Sequence, residues 1–401
     1  MPTKDLQWPF KGVVRRNTLR TSPSDQGPYP APWAVNVRLE DPLDRRLRGG
    51  SRPGLTKLVS TDFGSVIADM LSIPVSSVSG ASTILVVLAD STIRTVEGAS
   101  VSSATAGAPS TGFLVAGQQY VYAVGTASIT KVNPKTRAVS TLAETTGTIP
   151  TGCTFGAIYR DRLVLAGGDN AIYMSRQGDY GDWDYGQNVN NAARAVAFQL
   201  SLSADVGPLP TALIPSRDST LIIASARTLW MVQGDPTTGR LQRISETVGI
   251  VGSKAWCRVD DSIVFLSEDG LYMIGADGSN LTPLSPETIP AELLDVDPST
   301  TTVSIGYEHD RAAFHIYLRT AGGSDTHWLY ELPSQAFWPM RLSDNHSPRA
   351  VCRHAGRLLL AGNDGYIRYV GGTNDDGAAV QSHVAIGPFR LGQPGFYGRM
   401  L

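Results

Sequence analysis

Cysteine is scarce in this chain. Its three residues, Cys153, Cys257 and Cys352, form no CxxC pair, which excludes a disulfide framework and a zinc-ribbon pattern. Reduced thiols in an intracellular assembly setting are the simplest reading. No stretch approaches the ~18 consecutive apolar residues that span a bilayer. The opening MPTKDLQWPFKG has no apolar signal region, so a chain soluble when made, without a membrane span, is expected. Histidine pairs of the HxxxH or HExxH kind are missing. His309, His315, His327, His346, His354 and His383 stand singly and read as turn or strand-surface residues. The GxSxG elbow of hydrolases is absent, and GTASITK and GGSRPG lack the context and spacing of a phosphate-cradling loop. No catalytic residue, cofactor or metal site is assigned, and the chain is not read as an enzyme.

Charge of one sign is lacking overall, the net being −2, which argues against a globally basic nucleic-acid binder. The distribution is uneven. Residues 1–57 hold 11 Lys/Arg and 5 Asp/Glu, a net of +6, which leaves 23 and 31 for the remainder, a net of −8.

Glycine (41) and proline (25) are plentiful, as are Ser and Thr, whereas strong helix formers are few. Short strands joined by tight turns follow from that balance. The strands repeat. GAIYRDRLVLAGGDNAIYMSR from Gly156, ALIPSRDSTLIIASARTLWMVQ from Ala212, AWCRVDDSIVFLSEDGLYMIG from Ala255 and AVCRHAGRLLLAGNDGYIRYV from Ala350 superpose almost residue for residue. Weaker copies begin at Ser82, Phe113 and Ile305. The seven central strands, starting near Ile84, Val121, Leu163, Leu221, Ile263, Ala312 and Leu358, are spaced 37 to 58 residues apart, a range that brackets the roughly 40–50 residues of a four-stranded propeller blade. Each meander has an apolar face that it cannot bury alone, so radial stacking into a closed ring is the expected solution. The fold predicted is all-β, a seven-bladed β-propeller with an extended N-terminal arm. Its divisions are arm 1–50, propeller 51–391 and C-terminal tail 392–401. Arg52–Ser60 and His383–Leu391 are candidate strands for closing the ring together, and Ala291–Leu294 a candidate short helix.

On such a fold, a glycosidase or lectin acting on a host surface is the alternative from another class. The repeated Ser-x-Asp-x-Gly-x-x-Trp boxes of propeller sialidases are missing; SEDGLYMI from Ser267 lacks the Trp. Carboxylates at Asp179, Asp182 and Asp184, or at Asp260 and Asp261, read as solvated turn groups rather than a catalytic pair. DYGDWD from Asp179 and GTNDDGAA from Gly372 cluster hard oxygen ligands without calcium-loop spacing, so Asx turns are favoured over calcium. Gln177–Pro210 is the longest insertion, rich in aromatic and acidic residues, and belongs on a rim or face.

The first 50 residues are Pro-, Arg- and aromatic-rich with no lasting periodicity and cannot build a core of their own. Such an arm must be held by a partner subunit or by the chain's own propeller. Trp8, Phe10, Tyr29 and Trp33 are suitable apolar anchors, with Arg15 and Arg16 as further candidate assembly contacts; Arg45, Arg46, Arg48 and Arg52 suit an acidic neighbour better than nucleic acid, since no base-stacking aromatics interleave that run. On this reading, removing residues 1–50 should leave a folded β protein that fails to assemble.

Three segments together resemble a known family. AVNVRLEDPLDRRLRGGSRPGL (Ala34–Leu55), AIYMSRQGDYGDWD (Ala171–Asp184) and GPFRLGQPGFYGRM (Gly387–Met400) are similar to the tail nozzle and hub proteins of short-tailed bacteriophages, including the packaged-DNA-stabilising tail proteins. The resemblance implies a structural virion protein, made in the host cytoplasm and built into the tail. It implies a homo-oligomeric ring, commonly hexameric, below the portal and adaptor proteins and beside tail fibres or spikes. Such a ring extends the channel, touches passing viral DNA transiently and helps retain the genome or release it at ejection.

Overall fold

The fold was obtained as a computed structural model and describes residues 13, 33–38, 50–64, 66–74, 83–109, 112–200, 208–216, 219–284, 289–322, 325–343 and 346–385. It is a seven-bladed β-propeller. Each blade is an antiparallel meander whose second strand occupies a sequence run anticipated above: Thr83–Ala89, Tyr120–Val124, Arg162–Ala166, Thr220–Ser225, Ser262–Ser267, Ala313–Thr320 and Arg357–Ala361. No predicted start is off by more than one residue. These runs are apolar at nearly every position because a second strand is covered on both faces by neighbouring blades. Leu163, Val164, Leu165 and Ala166 are all completely buried.

The core is therefore a ring of wedges between blades rather than one central mass. Separate clusters join blades one and two around Val86 and Val121, two and three around Tyr122 and Leu165, three and four around Val164 and Leu221, and seven and one around Leu359 and Leu85. Polar ties follow the same circuit. Leu114 N donates to Asp69, Gln118 to Asp161, Tyr159 to the Gly234 carbonyl, Ser216 to the Ala276 carbonyl, Ile305 N to the Lys254 carbonyl and Ser304 to the Arg349 carbonyl; Ser72 and His354 (2.9 Å) join the first blade to the last.

Closure uses one of the two expected strands. Leu55–Lys57 is the outermost strand of blade seven, paired with Ile367–Val370, so the last blade takes three strands from the C-terminal side and one from the N-terminal side. The other end of the expected pair behaves differently. His383–Ala385 leaves the blade and pairs with Trp33–Val35, and 386–391 lie outside the described residues. Thus 33–38 and 371–385 form a layer of their own against blades six and seven, with a small hairpin of Asn374–Asp375 and Ala378–Ala379.

The arm is held by the chain's own propeller wherever it is described. Val13 N donates to the Phe337 carbonyl (2.9 Å) and Asn36 N to that of Pro339 (3.0 Å), both on the outer strand of blade six, Ala336–Met340. Val13, Ala34 and Val37 are buried in the cluster that also contains Tyr317, Trp338 and Leu360. Deleting residues 1–50 would remove these core side chains, which corrects the expectation that the arm is dispensable for folding.

Two further expectations are refined. Ala291–Leu293 is a single 3-10 turn, and no α-helix occurs among the described residues. In the Gln177–Pro210 insertion, Val196–Gln199 supplies the fourth strand of blade three, while Thr146–Gly147 pairs in parallel with Asp182–Trp183 to fasten the insertion on the rim side of blades two and three. Its aromatics act as anchors: Tyr180 and Trp183 are buried, and Trp183 Nε1 donates to the Tyr180 carbonyl (2.9 Å).

Candidate assembly surface

Residues 33–38 and 50–55 are fastened to the propeller, and the fastening is built from the segment that carries the family resemblance. Asn36 adopts a left-handed conformation (φ 56°), which asparagine tolerates better than most residues. From there its buried side chain works in three directions. Its Oδ1 accepts from Arg52 Nε (3.0 Å) and Arg341 N (2.8 Å), and its Nδ2 donates to the Gln381 carbonyl (2.9 Å).

Arg52 is the centre of this latch. Its two terminal nitrogens grip Asp375 bidentately (2.9 and 2.5 Å) and also reach the carbonyls of Pro53 and Arg341. All its N–H groups are satisfied inside the chain and it is 5% exposed. Arg52 is therefore withdrawn from the set of contacts expected to face a neighbour. Gly54 completes the fit, since a Cβ there would collide with the Asn374 carbonyl. Next in sequence, Asp376 takes Arg368 Nε (2.6 Å), and Arg368 also grips Asp364 (2.9 and 2.7 Å) and meets His346. Burial opposes the Asp364 charge, but His346 and Arg368 outweigh it and hold this carboxyl well below its usual range. Adjacent carboxylates thus tie the C-terminal hairpin to the arm on one side and to blade seven on the other.

A second, deeper cluster lies beneath the arm. Glu308, at the end of the innermost strand of blade six, accepts from Arg38 Nη2 (2.9 Å), Arg311 Nη1 (2.8 Å) and His315 Nε2 (2.9 Å). Burial works against its charge, yet the His315 hydrogen bond and the two guanidiniums hold it far below the normal carboxylate range. Burial also lowers the pKa of His315, against the pull of Glu308. A neutral imidazole that donates from Nε2 leaves Nδ1 to accept the Tyr317 hydroxyl (3.1 Å).

Of the remaining arm contacts, Trp33 is 49% exposed and packs at a tilt against His383 with ring centroids 4.2 Å apart, so an aromatic pair stands on the surface beside the latch. Trp8, Phe10, Arg15, Arg16, Tyr29, Arg45, Arg46 and Arg48 lie outside the described residues.

Four histidines correct the surface assignment: His315, His327, His346 and His354 are all buried. A signal was present for His315, which sits in AAFHIYL with apolar residues on both sides, and a weaker one for His327, which opens HWLYEL and is apolar on its C-terminal side alone. In DYGDWD the carboxylates do form Asx turns, as Asp179 accepts from Gly181 N, Asp182 from Asp184 N, and Asp184 from Gly186 N, though Asp182 is buried rather than solvated; in GTNDDGAA, Asp375 and Asp376 instead take arginines. No group of three or more His, Cys, Asp or Glu side chains with metal-holding geometry occurs among the described residues. The described helices include none long and apolar enough to cross a membrane.

These features define the class as far as the seven-bladed propeller. No family model matches the sequence, and no curated protein matches it. Among solved structures, the extracellular domain of a one component system from B. thetaiotaomicron shares the fold at 12% identity and TM-score 0.54, over 79% of this chain and 40% of that one. Virginiamycin B lyase from Staphylococcus aureus does so at 11% identity and TM-score 0.51, over 79% and 97%. This chain therefore spans less than half of the first structure and nearly all of the second. At such identities the likeness is one of fold.

Proposed function

We propose that this chain is a structural subunit of the tail nozzle or hub of a short-tailed bacteriophage, a virion component that forms a homo-oligomeric ring and extends the DNA channel. The observation that carries the reading is the latch. The residues of the resembling segment, Asn36, Arg38, Arg52 and Gly54, serve to fasten the arm root to blades six and seven. Trp33 is available beside it as an apolar contact. The net charge of −8 outside residues 1–57 suits a wall past which DNA slides, because like charge opposes adhesion to phosphate.

Native mass spectrometry of the full chain, alone and mixed with the portal-side tail proteins, tests the proposal. A closed ring, with an interface above about 1,000 Å² per contact, that is lost when Trp8, Phe10, Arg45, Arg46 and Arg48 are replaced together supports it. A chain that stays monomeric in both settings and cleaves host-surface glycans overturns it.

A further inference from the structure

Histidine is confined to one sector of the molecule. All six histidines fall between His309 and His383, and the 308 residues before them contain none. Imidazoles titrate nearest neutral pH, and here they gather where the arm is held and the ring is closed, in blades six and seven and the layer against them.

His346 has the arrangement that responds most directly to a proton. It is 1% exposed, and its Nδ1 lies 2.6 Å from Arg368 Nη1. A guanidinium only donates, so Nδ1 accepts and the imidazole is neutral. Its own proton is then on Nε2, which is enclosed without an acceptor, as is the neighbouring Ser347 hydroxyl. The ring and Asp364 Oδ1 fill the space that a Cβ at Gly362 would take, so the imidazole has no room to turn that way. Four titratable or charged groups face it: Arg368, Asp364 and Asp376 from blade seven and its hairpin, and His327 from blade six. Burial above all, with the Arg368 charge, lowers the pKa of His346 against the pull of Asp364 and Asp376.

A second proton would set Nδ1–H against the Arg368 Nη1–H. Asp364 Oδ1 is 3.7 Å from the same imidazole nitrogen, so a small shift lets the imidazolium take this carboxylate. Arg368, itself buried, would then face a new cation with its Asp364 bonds lost and only the Nε bond to Asp376 (2.6 Å) remaining. The strain passes directly to the latch. Asp376 N donates to the Leu55 carbonyl and Asp375 grips Arg52, which joins the hairpin, the closing strand and the arm root.

We propose that His346 is an acid-operated release for the arm root: on protonation it takes Asp364 from Arg368, and the 374–379 hairpin, the closing strand Leu55–Lys57 and residues 33–38 loosen together while blades two to four stay folded. The device would operate whether or not the chain is built into a tail.

Amide hydrogen exchange of the full chain at pH 7.5 and pH 5, corrected for intrinsic rates, tests it. A free imidazole is protonated about thirty to one at pH 5, so clasp opening gains at most about thirtyfold from this group. Protection of the Asn36, Arg52, Gly54, Gly371 and Asp376 amides, all bonded within the clasp, should fall about threefold to thirtyfold relative to the second strands of blades three and four. His346→Gln keeps an acceptor for Arg368 without a titration, and should hold that relative protection within about twofold. The C2-hydrogen exchange of His346 in the unaltered chain gives a second reading, which decides alone if the variant does not fold. A midpoint below about 6.5 that tracks the loss of clasp protection supports the release. An ordinary titration near 6.5 with clasp protection unchanged overturns it, as does equal loss across all blades or a loss at pH 5 that His346→Gln leaves intact.

Discussion

At the scale of single residues, the polar groups that matter are those with no room for a second protonation state. His327 is buried, its Nδ1 has no partner, and it lies edge-on to Tyr317 (5.2 Å). Burial, chiefly, lowers its pKa to about 4, with His346 and Arg52 adding to the effect and Asp325 opposing it. The unfolded chain takes up a proton there near 6.5 and the folded chain only near 4, so acidification through that window favours unfolding. The stabilisation is whole above pH 6.5 and is lost on the way down to pH 4, a total of ~3 kcal/mol at 1.36 kcal/mol per pH unit. Urea midpoints between pH 7 and pH 4.5 should fall, and His327→Gln should flatten the slope; an unchanged slope rejects the assignment. His315, His346 and His354, also lowered by burial, keep the remaining slope positive. Arg52 makes a different prediction. Arg52→Met leaves Asp375, only 18% exposed, and the Asn36 oxygen without their main donor. Removing one member of a buried pair costs ~3–5 kcal/mol, and chemical denaturation should show a loss of that order, larger than for Arg227→Met at the exposed Arg227–Glu268 pair.

At the scale of elements, closure is the sensitive step. A chain beginning at residue 58 would leave the edge of Ile367–Val370 unpaired and expose the cluster that Val13, Ala34 and Leu55 help fill. An open edge invites pairing between molecules, so that truncation should aggregate and melt ~10 °C or more lower, as expected for a loss of several kcal/mol. Light scattering and calorimetry of the truncated and full chains check this, and equal melting temperatures would reject it. Differences in burial explain what could be read in advance. Second strands carry runs such as Leu221–Ala224 that are apolar throughout, so their number and positions were visible in the chain. Fourth strands were not. Val139–Thr141, Arg240–Ser245 and Thr282–Pro283 lie outermost, mostly exposed, and carry no alternation to mark them. The latch was hidden for another reason, since Arg52–Asp375 and Arg38–Glu308 join positions 323 and 270 residues apart, and no local pattern encodes which guanidinium meets which carboxylate.

At the scale of the whole molecule, the ring is also tied across its axis. Lys254 precedes the inner strand of blade five, and its carbonyl accepts from Ile305 N of blade six. Its side chain reaches blade one, where Nζ donates to the Ala68 carbonyl (2.8 Å) and pairs with Asp69 (2.9 Å), and it passes over the Phe113 ring of blade two (5.8 Å). Blades one and five are not neighbours, so this contact spans the middle of the propeller. Asp69 is held ready for the lysine by the backbone N–H groups of Met70 and Leu114, both 2.8 Å away. Lys254→Met keeps the alkyl stem and these two bonds while removing the charge, so a loss of ~2 kcal/mol is expected, within the range for a charged hydrogen bond. Because the bond joins distant blades, the loss should appear in global unfolding rather than in local fraying, and hydrogen exchange of the inner strands of blades one and five should rise together. A double-mutant cycle with Asp69→Asn should return a coupling above ~1 kcal/mol. Strict additivity of the two substitutions would show that the crosspiece contributes nothing to holding the ring.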